Sequence, residues 1–216
     1  MTTDPPSLAG LRQEYTLHGL HESAMHADPL VQFDRWFREL LAAGVQEPNA
    51  MTLATCGRDG APSARIVLLK GYGPEGFVFF TNYESRKGRE LVESGRAALV
   101  LFRPELERQI RIEGTVERTS SEESTAYFQT RPRGSQLGAW ASHQSSVVSD
   151  RETLETRMRE LETQYAGQPV PRPPYWGGFR VTPLSVEFWQ GRQNRLHDRL
   201  LYTKAGGGWD LKRLSP

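Results

Sequence analysis

The chain has 216 residues, and its 27 basic and 26 acidic side chains leave a formal charge of +1. That length suits one domain of ordinary size, and near-neutrality argues against a non-specific nucleic-acid binder. The single cysteine, Cys56, excludes an internal disulfide and any cysteine-cluster metal site. Only four of the basic residues are lysines, so the positive charge is carried mostly by arginine, the better residue for multidentate anion recognition. The longest clear apolar run, Ala97–Phe102, is far too short for a membrane span, and MTTDPPS lacks the features of a signal peptide. A soluble cytoplasmic protein without a metal centre is the resulting expectation.

Residues 1–10 read as a flexible tail, and 11–216 as one domain. Asp28 caps a helix, Pro29 suits its first position and Gly44 its end. Phe33, Trp36, Phe37, Leu40 and Leu41 follow helical spacing and predict one apolar face. Strands then dominate: Ala50–Cys56, a Gly57–Gly60 hairpin turn, Ala64–Lys70 and Gly76–Asn82. Ser85 opens a short helix that Gly95 ends. Ala97–Phe102 and Gln109–Glu117 are further strands, and Ser121–Thr130 is a helix stopped by Pro132. Residues 134–149 read as loop, Asp150 caps a charged helix to about Tyr165, and 167–178 is a Pro/Gly-rich connection. Val186–Gln190, Arg199–Lys204 and Trp209–Arg213 complete about eight strands. Short turns imply antiparallel pairing, so the predicted fold is mainly β: a closed or nearly closed antiparallel barrel with flanking helices.

Gly71–Gly76 matches G-x-G-x-x-G after an apolar strand, but Pro74 sits inside it and FVFFTN follows. A strand follows where a dinucleotide site needs a helix, so the segment reads as a hairpin loop. Four other sets of residues point to anions. Arg65 and Lys70 end one strand and face opposite sides. Arg86 and Lys87 open a helix, where cations oppose the dipole unless an anion is present. Tyr127 and Arg131 are one helical turn apart, with Ser135 beyond the proline. Arg195, His197 and Arg199 share a face if that stretch is extended. Each set taken alone is also consistent with solvated charges. Together they point to two phosphorylated ligands.

RIVLLKGY, VFFTNYESRKGREL, LERQIRIEG, YFQTRPRGSQLGAWAS-QSS, PPYWGGFRV and EFWQGR-NRLHDRLLY resemble the pyridoxine/pyridoxamine 5′-phosphate oxidase family, from about Leu11 to Pro216. The resemblance implies an antiparallel split β-barrel, a homodimer with FMN at the interface, and oxidation of pyridoxine 5′-phosphate or pyridoxamine 5′-phosphate to pyridoxal 5′-phosphate. Hydride would pass from the substrate C4′ to the flavin N5, with dioxygen as final acceptor giving hydrogen peroxide. The implied FMN contacts are Arg65, Ile66, Val67, Leu68, Leu69, Phe80, Thr81, Arg86, Lys87, Gln109, Gln144, Ser145, Trp189 and Arg199. The implied substrate contacts are Lys70, Tyr127, Arg131 and Ser135 on the phosphate, Arg195 and His197 as the catalytic clamp, and Arg12 and Tyr15 from an N-terminal cover. Phe80 stands where the family often has tyrosine, and His143 and Arg192 are given no role. A split-barrel flavin reductase and a non-catalytic binding module are the rivals. The first lacks reason to keep Tyr127, Arg131, Ser135, Arg195 and His197; the second fits poorly with the near-zero charge if its ligand is nucleic acid.

Overall fold

The computed structural model describes Leu8, Leu11 and residues 14–216. Helix α1, Pro29–Ala42, starts as the sequence predicts: the Asp28 carboxylate accepts from the Leu30 N–H, and proline takes the first turn. Phe33, Trp36, Phe37 and Leu40 are buried, whereas Leu41 is 55% exposed and lies off the apolar face.

Nine strands make one antiparallel sheet: β1 Ala50–Cys56, β2 Pro62–Leu68, β3 Gly71–Gly73, β4 Gly76–Asn82, β5 Arg96–Arg103, β6 Arg108–Arg118, β7 Trp176–Gln190, β8 Asp198–Ala205 and β9 Gly208–Arg213. The order is β2-β1-β5-β6-β7-β4-β3, with β8 and β9 continuing from β7. The sheet curls, and beyond the end of β2 the chain crosses the gap. The Leu69 N–H donates to Asn49 O on the β1 side, and the Lys70 N–H to Val78 O on β4. The curl encloses Leu53, Phe77, Phe79, Leu99, Ile112, Val181, Val186, Phe188 and Leu200, all fully buried or nearly so, and α1 covers this core. Apolar side chains alternate inward along β1 and β5, which sets the register of each pair.

The remaining helices are α2 Arg86–Ser94, α3 Ser121–Thr130, α4 Arg133–Ala141 and α5 Arg151–Gln164. Helices α3 to α5 build a second apolar cluster around Phe128, Leu137, Leu161, Val170 and Trp176. The Gly71–Gly76 segment is the β3–β4 hairpin, as its proline required.

Three expectations need correction. Residues 134–149 do not form one loop, since α4 occupies 133–141. Gly134 and Gly138 lower its helix propensity, but Gln136, Leu137 and Ala141 are buried, and that packing decides. The 167–178 connection ends three residues early, and β7 is fifteen residues long where only its last five were expected. Gly177 and Gly178 hid its start, yet they are needed there. A Cβ on Gly177 would lie 2.0 Å from the Tyr83 hydroxyl. Finally, 195–199 is not extended throughout. Gln193–Arg195 is a 3₁₀ turn with Asn194 and Arg195 at φ 56° and 60°, and β8 starts only at Asp198. Arg195, His197 and Arg199 therefore do not line up on one strand face.

Candidate functional site

A cleft of about 750 Å³ lies outside the barrel, between β2, the end of β4, the start of α2 and the α3–α4 corner. Ile66, Val67 and Leu68 of β2 and Lys70 just beyond it line one wall, and Ile66 is 64% exposed. Phe80 and Thr81 come from the end of β4, Lys87 from α2, and Tyr127 and Arg131 from the end of α3. Ser135 comes from α4, Gln144 from the following loop, and Trp176 from the first residue of β7.

At one end, the Ser85 side chain caps α2 by accepting from the Gly88 N–H. Lys87 Nζ donates to Thr81 Oγ1 (3.2 Å), Ser85 Oγ (3.4 Å) and Gln144 Oε1 (2.8 Å). These partners are neutral, and no carboxylate pairs with Lys87 among the described residues. Burial, reinforced by the nearby Arg65, draws its ammonium down to about 8. A half-buried cation at a helix N-terminus, lacking an acid, is the donor set of an anion site. Next to it, Ser145 takes φ 72° and accepts from the Arg86 N–H at 3.2 Å, which pins the Gln144–Ser145 loop to α2.

Behind this end lies a carboxylate that sequence reading missed. Glu90 accepts from Thr55 and Ser63 at 2.6 Å each, from Arg86 at 2.7 Å and from Arg65 at 3.3 Å. Burial alone would raise its carboxyl, but the Ser63, Thr55 and Arg86 hydrogen bonds outweigh that and bring it to about 2. Arg65 and Arg86 are thus held beside the cleft, and neither lines it. Leu69 turns into the core, and Val67 contributes to the cleft wall.

Arg131 is the C-cap of α3, and its Cζ lies over the Trp176 ring, 4.6 Å from the centroid. Its Nη1 is buried without a hydrogen-bond partner, and burial lowers its proton affinity. Lys70, Tyr127 and Ser135 line the same cleft. The orphaned guanidinium nitrogen fits a phosphate oxygen. The cleft therefore draws its cations from three separate elements, Lys87 from α2, Lys70 beyond β2 and Arg131 at the end of α3, with Ile66, Leu68 and Phe80 also in its wall.

The other expected residues sit elsewhere. Gln109, Trp189 and Arg199 form one row across β6, β7 and β8. Glu187, 5% exposed, accepts from Arg199 Nε at 2.8 Å and Nη2 at 3.1 Å. Tyr15, Trp189 and His197 pack edge-on or tilted, with centroids 4.7–5.8 Å apart. His197 Nδ1 accepts from the Arg192 N–H, which leaves the ring hydrogen on Nε2. Burial, then the Arg195 charge, lowers the His197 proton affinity and favours the neutral ring. Arg195 is exposed on the turn before it. Arg12 lies outside the described residues. Trp176 and Trp189 stand at opposite ends of β7, roughly 40 Å apart along an extended strand. Within one chain, the Arg195–His197 group does not meet the cleft.

Comparison with known proteins shows the family of the chain. Residues 37–165 match the family described as pyridoxamine 5′-phosphate oxidase. Residues 176–216 match the pyridoxine 5′-phosphate oxidase C-terminal dimerisation region, which supports a homodimer. A pyridoxine/pyridoxamine 5′-phosphate oxidase from Rubrobacter xylanophilus is 62% identical over 209 residues, covering 97% of this chain and 96% of that protein. One from Acaryochloris marina is 55% identical over 210 residues, with coverage of 97% and 96%. Among solved structures, PhzG from Burkholderia lata in complex with tetrahydrophenazine-1-carboxylic acid has a TM-score of 0.85 at 35% identity, covering 90% of this chain and 95% of that one. A pyridoxamine 5′-phosphate oxidase-related, FMN-binding protein from Nostoc punctiforme shares the fold at TM-score 0.70 and 18% identity, with coverage of 89% and 100%. With both stretches matched and the relatives aligned over nearly their whole length, the chain belongs to the pyridoxine/pyridoxamine 5′-phosphate oxidase family.

Proposed function

We propose that the protein is a homodimeric FMN-dependent oxidase that makes pyridoxal 5′-phosphate from pyridoxine 5′-phosphate or pyridoxamine 5′-phosphate, with dioxygen reduced to hydrogen peroxide. The observation that carries this reading is the cleft, whose lining holds Lys87, Lys70 and Arg131 and no carboxylate, the donors for two phosphates. Bound FMN would supply the redox chemistry, a two-electron oxidation at the substrate C4′ with dioxygen as final acceptor.

The chain's own residues bind and align. Lys87, with Arg65 and Arg86 held by Glu90, receives the FMN phosphate at the start of α2. The 66–69 strand with Phe80 and Thr81 forms the wall for the ring system, and Gln144 and Ser145 close over it. Lys70, Tyr127, Arg131 and Ser135 anchor the substrate phosphate, and that remote binding energy holds C4′ in a reactive pose. Arg195 and His197, with Tyr15 beside them, belong at the cleft of the second copy. Their distance along β7 from their own cleft supports this, as do Gln109, Trp189 and Arg199 in the neighbouring row. There, Arg195 holds an electron-rich substituent, and the neutral His197 offers its Nε2 hydrogen to a substrate oxygen. With the amine substrate, water then releases ammonia from the oxidised carbon. PhzG carries a carboxylate ligand, whereas Lys70, Arg131, Tyr127 and Ser135 here make the donor set of a phosphate dianion.

A turnover assay in air tests the reading. The FMN-loaded enzyme should form one hydrogen peroxide per pyridoxal 5′-phosphate from pyridoxine 5′-phosphate, with kcat/KM about 100-fold or more above that for unphosphorylated pyridoxine. Equal use of the two alcohols would overturn it.

A further inference from the structure

Arg131 meets its task with little help from its helix. It is the C-cap of α3, at φ −72° and ψ 147°, so the helix no longer directs it. No carboxylate pairs with it among the described residues. What fixes the guanidinium is the flat face of Trp176 at 4.6 Å, with Phe128 more distant at 5.5 Å. Trp176 is itself 6% exposed and braced. Phe80 stacks on it at 5.6 Å and 10°, Phe128 meets it edge-on at 5.1 Å, and Phe80 in turn stacks on Tyr127 at 4.0 Å and 19°. Tyr127 and Trp176 are parallel within 10°. The three rings form one slab that fixes Tyr127 and Arg131 relative to each other.

We propose that Trp176 is a positioning residue for the substrate phosphate, its indole face holding Arg131 flat so that the N–H edge points into the cleft. A guanidinium seated face-on to an aromatic ring keeps its in-plane donors free, and phosphate needs those donors together. The partnerless Nη1 is the donor left over by this arrangement. The inference rests on the oxidase reading's assignment of Arg131 to the phosphate.

The test compares 4-deoxypyridoxine 5′-phosphate with 4-deoxypyridoxine by calorimetry on FMN-loaded protein. Both carry a methyl group where the substrate is oxidised, so they bind without turnover. Wild type should prefer the phosphorylated form strongly. Trp176→Leu should lose that preference by about tenfold while binding the unphosphorylated form within about twofold of wild type. Trp176→Phe, which keeps an aromatic face, should retain the preference within about threefold. If the leucine variant does not fold, Trp176→Met fills the space with no ring and makes the same comparison. An undiminished preference without the ring overturns the inference, as does equal weakening of both analogues, which marks a purely structural role. A wild type that does not distinguish the two analogues removes the oxidase reading itself.

Discussion

Lys87 owes its behaviour to what surrounds it. Burial and the Arg65 charge bring it to about 8, so it is protonated at neutral pH and loses its charge just above. A bound phosphate favours the charged ammonium, so phosphate affinity must fall as pH rises through the free protein's value. FMN should bind roughly tenfold more weakly at pH 9 than at pH 7, with riboflavin unaffected, and fluorescence titrations of both flavins would show it. Lys87→Met should cost FMN about 10- to 100-fold in affinity and abolish that pH dependence; unchanged FMN binding would remove Lys87 from the phosphate site. His197 has the opposite sign of interest. Its lowered proton affinity keeps the ring neutral, so kcat/KM should stay level at neutral pH and drop only below the ordinary histidine range near 6.5. Arg195→Met should cut kcat/KM about 100-fold, move that acidic limb upward, and leave FMN affinity within about threefold. Equal loss of turnover and FMN would contradict a substrate role. At this scale, Lys87 was legible in the sequence because a cation at a helix start is electrostatically misplaced. Glu90 and Trp176 were not, because their roles depend on partners 25 to 45 residues away in the chain.

Helix α2 shows how tightly an element can be fitted to a site. Its Ser85 cap and Gly95 end follow local rules that the sequence displays, with Gly95 at φ 62°. Gly88 obeys a different rule. A Cβ there would lie 2.3 Å from the Tyr83 carbonyl oxygen and 2.7 Å from that of Asn82. Gly88→Ala, favourable in an isolated helix, should therefore push α2 off the end of β4, lower stability by about 1–3 kcal/mol and weaken FMN binding. Denaturant unfolding and flavin titration read both effects, and a stabilised variant would contradict the packing argument. The same conflict between local and tertiary signals explains the elements that sequence reading missed. Two glycines concealed α4 and two more concealed the start of β7, yet burial of Leu137 and close packing at Gly177 override propensity in each. The β3–β4 hairpin went the other way, since Pro74 forbids the helix that the glycine pattern would need.

For the whole molecule, the long strand β7 sets the architecture of catalysis. It carries Trp176 into one cleft and Trp189 toward the Arg195–His197 group, and on the proposed reading these are halves of two different sites. Periodicity and turn chemistry revealed the barrel, but only the strand's full length revealed that separation. Two chains related by a two-fold axis would complete each other's sites. Co-expressed Arg131→Leu and Arg195→Met chains should then recover about a quarter of wild-type activity, since half of a random mixture is heterodimer and each heterodimer keeps one intact site. Recovery no greater than the sum of the two inactive parents would place each site within one chain. The central claim is tested most directly by anaerobic titration of the FMN-loaded protein with pyridoxine 5′-phosphate, following flavin absorbance. The account predicts bleaching that reverses on admitting air, with pyridoxal 5′-phosphate as product. A flavin that stays oxidised with both this alcohol and the corresponding amine would contradict it.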